Sequence, residues 1–175
     1  MHLREDRRHI KDKDLYDVKA LGAKINLEMA AVAEIQKIAL DVLPYSVCLV
    51  PERRQEVTTE GGLDACGQKE YLKEFIKPWK DKGILVSLFV DADLAQADAA
   101  KYCGADYIEM HTGAFSQAFE NNDYQNEFNK LVKTAKYAQD LGLKVNAGHG
   151  LNYQNVYLMK KIDGLCELNI GHSII

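Results

Sequence analysis

Gly83-Ile84-Leu85-Val86-Ser87-Leu88-Phe89-Val90-Asp91 decides the fold. A glycine opens it, a nearly unbroken apolar run follows, and it ends on a carboxylate. Such a run is too short for a buried helix and suits a strand covered on both faces, as in a parallel sheet. Outward from it, similar runs recur: Lys24 to Met29, Ser46 to Val50, Tyr107 to His111, Leu143 to Ala147 and Cys166 to Ile170. Between them lie stretches with apolar residues at helical spacing: Met29 to Val42, Tyr71 to Trp79, Leu94 to Tyr102 and Phe128 to Leu141. Met29 to Val42 stops before Pro44, and the last stretch stops at Gly142, both helix-ending signals. Alternating β and α units predict an α/β fold with a parallel sheet, either doubly wound or closed as a barrel.

The polar residues favour the barrel. Glu28, Glu52, Asp91, His111, His149 and His172 stand at or just after strand ends, with His2 and Arg4 in the same place near the chain start. A barrel gathers its strand ends around one mouth, whereas a doubly wound sheet concentrates function at one switch point. Neither G-x-G-x-x-G nor a P-loop pattern occurs.

Composition limits the rest. The 175 residues are 47% hydrophobic and 27% charged, which predicts one folded domain, residues 1–175. A net charge of −4 and a pI near 5.7 offer no basic footprint for nucleic acid. Mean hydropathy is −0.29 and no apolar run is long enough to span a bilayer, so no membrane partner is expected. The charged start, Met1 to His9, does not read as a signal peptide. Cys48, Cys66, Cys103 and Cys166 form no C-x-x-C pair; Cys48 and Cys166 lie in apolar runs and are expected to be buried thiols in a reduced, cytoplasmic setting.

All five histidines, His2, His9, His111, His149 and His172, fall at or after strand ends. Imidazole exchanges protons near neutral pH, so a rim rich in it suits multi-step acid–base chemistry. No H-E-x-x-H or H-x-H spacing argues for a metal. Glu28 and Glu109 stand inside apolar strands, where burial would raise a carboxyl pKa toward a general base's range; the alternative is a structural ion pair with arginine. Gly148-His149-Gly150 and Gly171-His172 put glycines at the last two strand ends, a pattern suited to phosphate. Arg4, Arg7, Arg8, Arg53 and Arg54 could serve a second anion, although Arg7 and Arg8 read more simply as a solvated face. Val57 to Leu63 lies in a long polar stretch of the kind that often forms a lid.

Seven segments in unbroken order resemble the pyridoxine 5'-phosphate synthase family. They are His2-Leu3-Arg4-Glu5-Asp6-Arg7-Arg8-His9-Ile10, Asn26-Leu27-Glu28-Met29-Ala30, Val50-Pro51-Glu52-Arg53-Arg54 through Gly62, Val86 to Asp91, Glu109-Met110-His111-Thr112-Gly113, Val145 to Tyr153, and Glu167 to His172. The resemblance implies a (β/α)8 TIM barrel that condenses 1-deoxy-D-xylulose 5-phosphate with 3-amino-2-oxopropyl phosphate. The products would be pyridoxine 5'-phosphate, phosphate and water. It further implies a cytoplasmic homo-oligomer, often an octamer, with no organic cofactor and no metal. His2 and Glu28 match proton acceptors, His149 a proton donor, and Glu109 a glutamate that supports the transition state. Arg4, His9 and Thr58 match contacts to the deoxyxylulose phosphate; Gly150, Gly171 and His172 match those to the amino-ketone phosphate.

One departure stands out. Family members precede His-Leu-Arg-Glu-Asp with a strand carrying Asn-x-Asp-His, a helix and a second strand, and they continue past Ser173-Ile174-Ile175 into a last helix. The barrel is therefore expected to be incomplete here, and the chain alone inactive or poorly folded. The alternative reading is a truncated, non-catalytic barrel remnant that binds phosphate or a partner. A different phosphosugar-using barrel fits the motifs less well.

Overall fold

In a computed structural model, which describes residues 1–51 and 61–174, six strands form one parallel sheet in sequence order. They are β1 (Asn26–Met29), β2 (Ser46–Leu49), β3 (Leu85–Asp91), β4 (Tyr107–His111), β5 (Lys144–Gly148) and β6 (Leu165–Asn169). Every strand expected from the apolar runs is present.

Six α-helices connect or flank them: α1 (Asp12–Ala20), α2 (Ala33–Val42), α3 (Lys69–Lys80), α4 (Leu94–Cys103), α5 (Gly113–Glu120) and α6 (Gln125–Asp140). A 3-10 turn, Val156–Lys161, precedes β6. Local sequence explains their limits. The Asp93 side chain caps α4 by accepting from Ala95 N–H at 2.7 Å. Gly104, at φ 87°, turns the chain out of that helix. Two helices beyond the apolar periodicity, α1 and α5, are short, and each buries few side chains: Leu15 in α1, Phe115 and Ser116 in α5.

Alternation divides the sheet into two unlike faces. Leu27, Met29, Val47, Leu49, Val86, Leu88, Val90, Ile108, Met110, Val145 and Ala147 are buried in the hydrophobic core, on which the helices pack. The opposite positions are Asn26, Glu28, Ser46, Cys48, Ser87, Glu109, Asn146 and Asn169. The strands are therefore not apolar on both sides; one face is polar, and several of its members are nonetheless buried. Glu109 on β4 reaches Cys48 on β2 and Asn169 on β6, each across an intervening strand. Such convergence requires the sheet to curl with its polar face inward, as in part of a barrel.

The ladder has one irregularity. Val145 pairs with Leu165 but Asn146 pairs with Glu167, a register shift in β6.

Candidate active site

The chain start joins the sheet beside β1. His2 bridges Glu28 in parallel, with Leu3 N–H donating to Glu28 O at 3.1 Å and Glu28 N–H donating to Met1 O at 2.7 Å. Leu3 is fully buried, which anchors this segment and turns its neighbours to the other side. His2 Nδ1 consequently lies 3.5 Å from Glu28 Oε2, both side chains partly exposed. An imidazole and a carboxylate that are close but still reachable can pass a proton to or from a bound molecule.

Glu109 is the buried counterpart, 4% exposed. Asn169 Nδ2 donates to its Oε2 at 2.6 Å, and the Cys48 thiol lies 3.7 Å from the same oxygen. Among the described residues its hydrogen-bond partners are an amide and a thiol. Loss of solvent, and then the nearby Glu28 carboxylate, push the Glu109 pKa up to about 7, against the opposing effect of the Asn169 and Cys48 bonds. Cys48, fully enclosed and facing two carboxylates, has its thiol pKa raised well above the ordinary value. Gly148 makes room for Glu109, since a Cβ there would come within 2.5 Å of Glu109 Oε1.

Beyond Gly148 the chain turns sharply. His149 has φ 77° and Gly150 φ 78°, an unusual pair of left-handed residues for a turn that includes a side chain. Thr112, fully buried, holds this turn. Its hydroxyl lies 2.8 Å from Gly148 O and 2.6 Å from His149 O, and its N–H donates to Gly148 O at 2.9 Å. Gly150 packs on the first turn of α5, where a Cβ would lie 2.9 Å from Ser116 Oγ. The His149 ring lies 4.9 Å from His111 and 6.3 Å from Phe89, centroid to centroid, tilted against both.

The other expected residues are more dispersed. Arg4 is half-buried two residues beyond His2, and its carbonyl accepts from Arg7 N–H at 3.0 Å. Arg8, half exposed and tied to Asp6, fits the solvated face expected, whereas Arg7 is only one-fifth exposed and is held by Asp12 at 2.8 Å and Glu34 at 2.5 Å. His9 is exposed ahead of α1, and Gly171 and His172 are exposed after β6. Glu52, Arg53, Arg54 and Thr58 lie outside the described residues. Cys166 is exposed on β6, contrary to the buried thiol expected from its apolar run, because that strand is at one end of the sheet. Among the described residues no cluster of three metal-ligating side chains occurs, and no helix is long and apolar enough to cross a membrane.

Sequence reasoning gave no role to Thr112, Cys48 or Asn169. Thr112 and Asn169 stand in the segments Glu109 to Gly113 and Glu167 to His172, but their contacts depend on strands distant in sequence.

Comparison with known proteins adds to this geometry. The family model described as pyridoxal phosphate biosynthesis protein PdxJ matches residues 1–175. A pyridoxine 5'-phosphate synthase from a Sulfurihydrogenibium species is 56% identical over the whole chain, which covers 73% of that relative. Its counterpart from Photobacterium profundum is 53% identical, with 72% of the relative covered. Among solved structures, 3-keto-L-gulonate-6-phosphate decarboxylase from Vibrio cholerae aligns with a TM-score of 0.63 at 10% identity, covering 91% of this chain and 69% of that one. A KGPDC from Streptococcus mutans gives 0.60 at 15% identity, again over 91% of this chain and 69% of that one. At these identities the structural likeness concerns the fold alone.

Proposed function

Because the chain belongs to the PdxJ family of pyridoxine 5'-phosphate synthases, enzymes of vitamin B6 biosynthesis, we propose how its residues divide that chemistry. The substrates are 1-deoxy-D-xylulose 5-phosphate and 3-amino-2-oxopropyl phosphate, joined into a pyridine ring with loss of phosphate and water. The observation that carries this reading is the gathering of His2, Glu28 and Glu109 on the polar side of the sheet, with His149 on the turn that follows β5.

Joining an amine to a ketone needs a base for the nitrogen proton and an acid for the departing oxygen. Aromatisation then needs further deprotonations at carbon. Glu28 and His2, 3.5 Å apart and open to solvent, are the proton acceptors. His149 is the donor to the leaving oxygen. Glu109, poised near neutral pH, meets developing charge as either a neutral or an ionised group. Arg4, His9 and Thr58 hold the deoxyxylulose phosphate; Gly150, Gly171 and His172 hold the amino-ketone phosphate through exposed backbone N–H groups. Residues 1–175 form one partial barrel domain of a cytoplasmic homo-oligomer.

The test is incubation with both substrates, following pyridine absorbance and released phosphate. It is run on this chain and on the chain extended with the remaining sequence of the Sulfurihydrogenibium relative, which separates an incomplete barrel from a wrong assignment. Ring formation in the extended protein is expected, and Glu28→Gln should cut kcat by about 10²–10⁴-fold with KM within about twofold. No ring formation in the extended protein removes the reading, and an unaffected Glu28→Gln removes Glu28 from it. Ring formation by the unextended chain would overturn the expectation that it is inactive alone.

A further inference from the structure

The ring that meets His149 belongs to a pair of side chains with no part in the chemistry above. Asp91 ends β3 and His111 ends β4, paired in register and therefore on the same face. Asp91 Oδ1 lies 3.0 Å from His111 Nδ1 and accepts from Gly62 N–H at 2.9 Å. The bond to His111, helped by that backbone bond against the effect of burial, holds the Asp91 carboxyl below its usual range. An ionised carboxylate can only accept, so His111 Nδ1 carries the hydrogen.

The His111 ring has little freedom. It is 8% exposed, it meets Phe89 edge-on at 5.2 Å, and it meets His149 at 4.9 Å with the planes inclined by 58°. Gly113 closes the remaining side: a Cβ there would lie 2.5 Å from His111 Nε2 and 3.3 Å from His149 Cδ2. The Asp91 side chain, by contrast, is 59% exposed. With His111, Phe115 and Lys130 it lines a cavity of about 250 Å³.

We propose that Asp91 and His111 are positioning residues for His149. Asp91 fixes the tautomer and tilt of His111, and the His111 ring in turn fixes the His149 imidazole above its left-handed turn. Thr112 secures that turn through the backbone, and His111 secures it through the ring. An acid held in this way delivers its proton along one direction, as an oriented imidazole does wherever a carboxylate stands behind it. Here the orientation passes through a second ring instead of directly from the carboxylate. The inference rests on His149 being the proton donor proposed above.

Imidazole ¹⁵N NMR on the extended protein tests it without any variant: His111 is expected in the Nδ1–H form at neutral pH, and an Nε2–H form overturns the proposal. In Asp91→Asn the preference is expected to disappear and the His149 ring signals to shift, while amide signals remote from β3 and β4 stay in place. Unmoved His149 signals overturn the proposal. In the extended protein, Asp91→Asn should lower kcat by about 10–100-fold with KM within about twofold. A normal kcat in Asp91→Asn alongside a crippled Glu28→Gln defeats the positioning role alone. Absent turnover in the extended wild type defeats the functional reading while the NMR result still stands or falls by itself.

Discussion

The two faces of one sheet solve opposite problems. On the helix-covered face, Leu27, Val47, Val86, Leu88, Ile108 and Val145 are wholly removed from water. On the inner face, Glu109, Asn146 and Ser87 are nearly as buried, yet each carries a polar group that water would have solvated. The Asn146 side-chain oxygen has no hydrogen-bond partner among the described residues. Burying apolar surface is favourable, whereas burying polar atoms costs free energy unless they are well paired. Since successive residues of a strand point to opposite faces, every strand contributes to both. The outer face supplies the stability that the inner face consumes in holding a carboxyl group near neutrality.

This contrast can be broken by substitution. Leu88→Ala, on the outer face, should cost about 3–5 kcal/mol in urea unfolding. A comparable loss from removing an inner polar group would refute the division. Glu109→Gln should act in the other direction. The Glu109 pKa is about 7 in the folded chain against an ordinary 4.5, so the folded state keeps its proton where the unfolded state has lost it. Stability then falls as pH rises from about 4.5 to 7 and stays reduced above that. Glu109→Gln should therefore gain about 1–3 kcal/mol at pH 8 and almost nothing at pH 4, read from thermal melts. A loss at pH 8 would mean that the ionised carboxylate is well satisfied where it lies. The smallest effect belongs to the helix layer itself. Asp93→Ala removes the α4 cap and should cost about 1 kcal/mol with the His111 tautomer unchanged. Altered His111 signals would show that the helix layer and the inner face are not independent.

All six strands were legible because apolar runs closed by glycine or a polar residue have few other readings in a soluble chain. The long helices were legible through their periodicity. In α1, Asp12-Lys13-Asp14-Leu15 offers little apolar spacing; its start is stabilised by Lys11 N–H donating to the Asp14 carboxylate at 2.9 Å. In α5, Gly113 at the start reads as a break, whereas its lack of a side chain is what admits the two histidine rings. The raised pKa of Glu109 followed correctly from a carboxylate in an apolar strand. For Glu28 the same argument foresaw burial, but its side chain is one-third exposed, beside a His2 side chain that is itself partly exposed. The supporting residues were less legible. Asp91 and His111 were visible as strand ends, but their pairing depends on the register of β3 with β4, and Thr112 on the fold of the turn after β5.

The register shift in β6 has a consequence of its own. Between Val145 and Asn146 the partner strand advances two residues, so Cys166 is one residue too many. Bulging that residue out keeps the alternation of everything after it. With Cys166 skipped, Glu167 and Asn169 share the side of Asn146 and Gly148, and Asn169 can reach Glu109. In an unbroken ladder Cys166 would stand opposite Asn146 and Leu168 opposite Gly148. Asn169 would then point away, and the buried carboxyl group would face an alkyl chain. Deleting Cys166 should by contrast leave Glu167 opposite Asn146 and Asn169 opposite Gly148, now in a regular ladder. The site therefore tolerates Cys166 because the strand leaves it out of the count.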